Sequence, residues 1–321
     1  MSSILNITNG DSAVEVMEKA NIPGAFLPWR DVLHDGPVPE HVSLEALSEI
    51  RAQFIIDRGW GTPEDIKRHF IERDNALVSF EEYEKVILWF EHDLYDQLQI
   101  LQILDWFHQN RPIETGLTII CVDQYLGTLS PEQMLALFQH EEPVTEKHLE
   151  LSGRAWAAFR SGSPEKWCAL LKKDSTALPF LEGAVIRLLE EYPACTDGLS
   201  RTARQALEIV LQGVKRPGKV FGLYQETEER RFLGDASFRL ILQELLESTP
   251  PLLALSSGKT LTWPAGSDQE LTITPPGKGV LHGKRNWLDM VELDRWIGGV
   301  HLTADNIWCW DAASGSVVKR T

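Results

Sequence analysis

Two short apolar runs, KVILWF at 85–90 and LTIICV at 117–122, constrain the fold of this 321-residue chain more than any other feature. Neither alternates polar with apolar residues, so neither reads as a strand with one wet face. Each reads as a strand covered on both faces, the pattern of a buried parallel sheet. Between them, residues 94–109 have the length and spacing of a helix, with Asn110-Arg111-Pro112 expected to end it. Strand, helix, buried strand is the unit from which parallel α/β sheets are built.

The beginning of the chain repeats that logic. ILNIT (4–8) is a short apolar run broken at Asn9-Gly10-Asp11-Ser12. SAVEVMEKA then carries apolar residues at helical spacing, with Asp11 or Ser12 expected as its N-cap. Ile22-Pro23-Gly24 signals a turn, and AFLPW (25–29) a second strand. Residues 43–58 and 63–80 read as amphipathic helices, the latter opened by Thr62-Pro63-Glu64. From 130 to 194 the pattern is helical, with breaks at Gly162-Ser163-Pro164 and near Leu178-Pro179.

The remainder changes style. Helices are expected at 200–213, 219–229 and 235–248, followed by Pro250-Pro251, LLALSS, a Gly/Pro-rich turn and LTITPPGKGVLHG. Three helices, a hairpin and a closing helix is the element order of a winged helix. DRWIGGVHLTADNIWCWD is expected to add tryptophan-rich strands. The expected fold class is therefore α/β. A parallel-sheet, Rossmann-like domain (1–128) precedes a helical connector (129–196) and a winged-helix-like α+β domain (197–321).

Composition narrows the function classes. Hydrophobic content of 43% and charged content of 24% belong to a folded globular chain. No apolar run reaches the length of a membrane span, and MSSILNITNGDS lacks the features of a signal peptide, so a cytoplasmic protein with no membrane partner is expected. Four cysteines without paired spacing are expected to be reduced thiols. The net charge of −16 is uneven: residues 1–194 hold 16 basic and 32 acidic side chains, and 195–321 hold 15 of each. An acidic N-terminal part argues against nonspecific nucleic-acid binding there. The helix at 235–248 is net acidic through Asp235, Glu244 and Glu247 against Arg239, which opposes DNA reading by a recognition helix.

Polar residues gather where the strands end, and ligands of open parallel sheets bind beyond the carboxyl ends of their strands. After the first strand come Asn9, Gly10, Asp11 and Ser12. Their alternatives are an anion cradle at a helix N-terminus, a nucleophilic Ser12 of the Gly-Asp-Ser type, or a capped turn. The late Asp-x-x-His pair that Gly-Asp-Ser esterases need is absent: Gly298 stands three residues before His301. After the second strand, Arg30 is the candidate anion clamp, with a salt bridge to Asp31 or another nearby acid as its alternative, and His34 a weaker ligand candidate. After the third, Glu91, His92, Asp93, Asp96 and Gln97 offer oxygen and imidazole groups; Asp123 closes the fourth. Glu91, Asp96 and Asp123 are candidate ligands of a divalent metal, and His92, Asp93 and Asp11 candidate acid–base groups. Asn9, Gly10, Ser12, Arg30, His34 and Gln97 are candidate ligand-binding residues. Helix capping by Asp93 and Asp96 is the alternative for the acidic cluster.

The segments NITNGDSAVEVMEKANIPGAFLPWRDVLHDGPVP, WFEHDLYDQLQILQIL and CVDQYLG, with GLSRTARQALEIV, FLGDASF and RWIGGVHLT further on, resemble the bacterial family called domain of unknown function 1835 over nearly the whole chain. The resemblance implies a bacterial intracellular protein and brings no activity with it. The residues themselves point to binding of a phosphorylated or nucleotide-like small molecule at the strand ends, with metal-assisted hydrolysis or transfer as the reaction such a site suggests. The alternative is a regulatory or adaptor protein that meets a protein or DNA partner through its C-terminal part.

Overall fold

The computed structural model describes residues 4–110, 116–257, 260–262 and 264–320. By internal contacts the chain divides into two compact units, 1–185 with 298–300, and 186–297 with 301–321.

The first unit is built on a mixed sheet. Its strands are β1 (Ile4–Thr8), β2 (Ala25–Pro28), β4 (Lys85–Glu91), β5 (Gly116–Val122) and β6 (Glu142–Pro143); the two-residue strand β3 (Gly36–Pro37) lies outside it. The order is β2-β1-β4-β5-β6, parallel throughout except for β6, which pairs antiparallel at the edge. The helices are α1 (Asp11–Lys19), α2 (Leu44–Asp57), α3 (Pro63–Val78), α4 (Leu94–Asn110), α5 (Pro131–Phe138), α6 (Glu146–Arg160) and the single turn α7 (Glu165–Cys168). The expected stop at Arg111-Pro112 lies outside the described residues, which follow α4 as far as Asn110.

β4 is central because its sequence leaves no alternative: Val86 through Phe90 have no solvent exposure. Ile87 and Trp89 join Ala13, Val16 and Met17 of α1 and Met134 of α5 in one core cluster. Strand alternation then turns Val86, Leu88 and Phe90 to the opposite face, and α4 packs on β4 and on α6. Full burial of each such side chain contributes about 1.5–3 kcal/mol. Asn6 is the polar exception within β1. Fully buried, it donates to the carbonyls of Pro23 and Ala25 and accepts from the Trp89 indole at 3.0 Å, tying β1 to the turn before β2 and to β4. Gly24 is required there: its φ is +124°, and a Cβ would meet Asn6 Nδ2 at 2.6 Å and the Ile4 carbonyl at 2.7 Å.

By this division α5, α6 and α7 fall within the first unit, and the boundary between units falls inside α8 (Leu181–Leu189). The second unit carries α9 (Arg201–Leu211), α10 (Pro217–Thr227), α11 (Asp235–Glu247), an antiparallel pair β7 (Leu253–Leu255) and β8 (Leu271–Ile273), and α12 (Pro275–Leu281). Short strands follow: β9 (Asp294–Gly298), β10 (Val300–Thr303), and the antiparallel β11 (Ile307–Asp311) and β12 (Ser316–Arg320). A buried ion network stabilises this unit. Arg187 forms a two-pronged pair with Glu228, bonds Glu191 at 2.7 Å and donates to Thr202, while Arg295 reaches Glu191 at 3.2 Å. Every prong of the guanidinium is used, the condition under which a buried pair is tolerated. Among the described residues no helix is long and apolar enough to cross a membrane.

Candidate functional site

Chain direction out of the sheet reverses between β1 and β4: α1 carries β1 outward to β2, and α4 carries β4 the other way to β5. A crevice opens beyond the carboxyl ends of strands at such a point. Several of the strand-end residues named from sequence converge here, in two groups.

The first group is buried. Glu91 ends β4, Asp93 precedes α4 and Asp96 lies in its first turn; oxygens of the three approach within 4.8 Å of one another, and each residue is 5% exposed or less. Asp93 Oδ1 accepts from the N–H groups of Tyr95 and Asp96, a helix cap. Asp96 folds back to accept from Glu91 N–H at 2.7 Å. Asn9 bridges the set from β1, its amide donating to Glu91 at 2.9 Å and Asp96 at 3.0 Å, and Leu126 N–H adds a bond to Glu91. Burial pushes all three carboxyls up. Asp93 rises to about 7, first through loss of solvent and then through the charge of Glu91; Asp96 rises well above its ordinary range for the same reason and through the charges of Asp93 and Glu91. Burial and mutual charge favour the protonated forms of this group, and its donor set also suits a hard divalent cation. His92 and Asp123 stand outside it. The His92 ring packs near Tyr125 and Phe180, and Asp123 is exposed past β5. Gln97 is buried against β4, donating to the Glu91 carbonyl at 2.7 Å.

The second group lines a cavity of about 470 Å³. Gly10, Asp11 and Ser12 at the start of α1, Pro28, Trp29 and Arg30 at the end of β2, and Tyr95 form one side. Ile55 of α2, Trp60 between α2 and α3, and Ile66, His69, Phe70 and Arg73 of α3 form the other. The expected cap of α1 is corrected. Gly10, not Asp11 or Ser12, occupies the cap position and has no side chain to bond the first turn. Asp11 instead turns to Arg30, which donates through Nε at 2.8 Å and through Nη2 to the other carboxylate oxygen. This bond holds the Asp11 carboxyl below its ordinary range and the guanidinium above its own. So Arg30 has an acidic partner, but Asp11 rather than Asp31, whose carboxylate is buried on Arg51 at 2.9 Å. Arg30 holds a left-handed backbone, φ 59°, uncommon for a side chain of this kind. That conformation costs on the order of 1 kcal/mol and clusters at ligand-facing positions. Gly127 fixes the other flank, since a Cβ there would meet Ser12 Cβ at 2.8 Å. His34 is buried, edge-on to Tyr95 with centroids 5.9 Å apart, and does not line the cavity.

The wall from α2 and α3 was not anticipated. Trp60 is an aromatic ring between two glycines, an apolar group held out on a turn, and that Gly-Trp-Gly was the available signal. Trp29 is core, 2% exposed, with its indole donating to Gln102. In the second unit, His301 pairs with Asp294 at 2.7 Å and stacks on Trp296 with centroids 4.3 Å apart; Arg295 belongs to the ion network. Compared with models of known protein families and with curated protein sequences, the chain finds no match.

Proposed function

We propose that this protein binds a phosphorylated, nucleotide-like small molecule in the cavity beyond β1 and β2. The observation that carries the reading is the joint placement of the start of α1 and Arg30 on one cavity. The first N–H groups of a helix lack intrahelical partners and carry partial positive charge, which favours an anion. Gly10 leaves that end without a side-chain cap, and Arg30 stands opposite with a fork that matches phosphate oxygens. The cavity has the size of a small-molecule site.

Asp11 is the internal anion that a ligand displaces from Arg30. Its side chain is 63% exposed and that of Arg30 37%, and such surface pairs are worth about 0–1 kcal/mol. An incoming phosphate therefore exchanges a weak partner for a stronger one. The carboxylates Glu91, Asp93 and Asp96 sit behind Asn9 and do not line the cavity, so the function supported is binding, with no reaction step assigned to them. A Rossmann-like reading of the first unit accords with a ligand at the sheet's carboxyl edge. No observation favours DNA as the partner.

The test is a thermal-shift and calorimetric screen of nucleoside monophosphates, sugar phosphates and inorganic phosphate against the wild type and Arg30→Gln. Ligand at about one hundred times its dissociation constant stabilises by about 2.7 kcal/mol. The reading expects a hit that Arg30→Gln weakens tenfold or more. Binding indifferent to Arg30, or no binding across the panel, would remove it.

A further inference from the structure

The face that α3 turns to the cavity carries Ile66, His69, Phe70 and Arg73, whose spacing of three, four and seven places them on one side of the helix. Ile66 and Phe70 are apolar. Arg73 is buried, with Nε on Asp74 at 2.9 Å and Nη2 on Ser48 at 2.7 Å. His69 differs from its neighbours. It is half-buried and makes no hydrogen bond among the described residues, and neither of its ring nitrogens is closed off from solvent. The acids a turn before and after it on α3 are taken up by Arg68, which pairs with Asp65 at 2.7 Å and with Glu72 at 3.8 Å.

On the other side of the cavity, Asp11 occupies the fork of Arg30. The Asp11 carboxyl is held down first by that bond and further by the charge of a protonated His69, so the imidazole acts on the position where the fork now holds a carboxylate. That position is addressed from three elements: the start of α1, Arg30 after β2, and His69 on α3. A phosphomonoester brings three terminal oxygens and about −1.5 to −2 of charge near neutrality. A diester has two such oxygens and a single charge. The start of α1 and the Arg30 fork together satisfy a diester's pair of oxygens. A third oxygen calls for a donor from the opposite wall, and imidazole supplies one whether neutral or protonated.

We infer that His69 is the specificity-determining residue of the anion position, donating to the third terminal oxygen of a phosphomonoester, so that the cavity takes a terminal phosphate and discriminates against the same phosphate in a diester. This rests on the phosphate-binding reading above and narrows it from phosphorylated molecules to terminal phosphomonoesters. A nucleic-acid backbone, whose internal phosphates are diesters, falls outside that class.

The experiment is calorimetric titration of the full chain with adenosine 5′-monophosphate and with its phosphate methyl ester, which keeps the base, ribose and phosphate and caps one oxygen. The proteins are the wild type, His69→Phe, His69→Ala and Arg30→Gln. His69→Phe keeps a flat ring and removes both nitrogens, and His69→Ala removes them without bulk should the larger ring disturb α3. Circular dichroism and melting confirm that each variant folds. The wild type should bind the monoester about tenfold or more tightly than the methyl ester, the difference expected of one hydrogen bond to a charged group. Loss of the imidazole should remove most of that preference by weakening the monoester while leaving the methyl ester unchanged, and Arg30→Gln should weaken both. Equal wild-type binding of the two esters overturns the His69 assignment and leaves the phosphate site standing. A preference that survives in the His69 variants also overturns it, as does a loss shared equally by both esters, which marks a purely structural histidine. No binding of either ester overturns both readings.

Discussion

Replacing Asp93 with asparagine should make the protein more stable at pH 8 and flatten its response to pH. The Asp93 carboxyl lies 3% exposed beside Glu91 and Asp96 and is raised from 3.8 to about 7. A carboxyl raised on folding binds protons in the native state at pH values where the unfolded chain has released them. Stability is then highest below the unfolded value and is lost as pH rises through the folded one. For Asp93 the window runs from about pH 4 to about pH 7, and the stability lost across it amounts to about 4 kcal/mol at 1.36 kcal/mol per pK unit. Glu91 and Asp96 are shifted the same way, so they steepen the fall rather than oppose it. An asparagine keeps the Oδ1 acceptor used by the N–H groups of Tyr95 and Asp96 and has nothing to titrate. Denaturant unfolding at half-unit steps from pH 5 to 8 measures this directly. The wild type should lose about 1.4 kcal/mol per pH unit for each proton released, and Asp93→Asn should remove one such contribution. Parallel wild-type and variant curves would refute the assignment of that proton to Asp93. Repeating the series with Mg²⁺ and with chelator separates protons from a cation as the compensating charge; recovery at high pH only with Mg²⁺ would assign it to the cation.

Other consequences follow from the same geometry. Gly24→Ala should destabilise by about 2 kcal/mol or more in urea melts, because both its φ and the space beside Asn6 forbid a Cβ. Asn6→Ala should lower stability by about 1–3 kcal/mol, since it strands the buried Trp89 indole N–H. Arg30→Gly should relieve the left-handed backbone, leaving the melting temperature unchanged or higher, while weakening phosphate binding by calorimetry. Arg187→Met should cost about 3–5 kcal/mol in the second unit by leaving Glu191 and Glu228 without a buried partner prong, seen as early melting of that unit.

The strands that build the first sheet were legible because their burial is written in their residues: nothing but a two-faced core accommodates KVILWF. The two-residue β6 was not, since Glu142-Pro143 is too short to show a period and its proline suits only an edge. Strand order decided the rest. The grouping of Asn9 with Glu91 depends on β1 lying beside β4, a register between residues 82 positions apart that local pattern does not carry. For the same reason Asp11 looked like a cap, whereas its partner Arg30, across the strand ends, outcompetes the local bond. Helices α2 and α3 read as ordinary amphipathic surface, so the wall made by Trp60, Phe70 and Arg73 was visible only once their docking was known.

The most direct test of the phosphate site is backbone amide chemical-shift mapping of the full chain during titration with adenosine 5′-monophosphate. The account predicts that the largest shifts fall on Gly10, Asp11, Ser12 and Ala13, with the Arg30 Nε–H signal moving as its bond to Asp11 is replaced. Shifts confined to the second unit, or saturation binding that leaves the start of α1 unmoved, would contradict it.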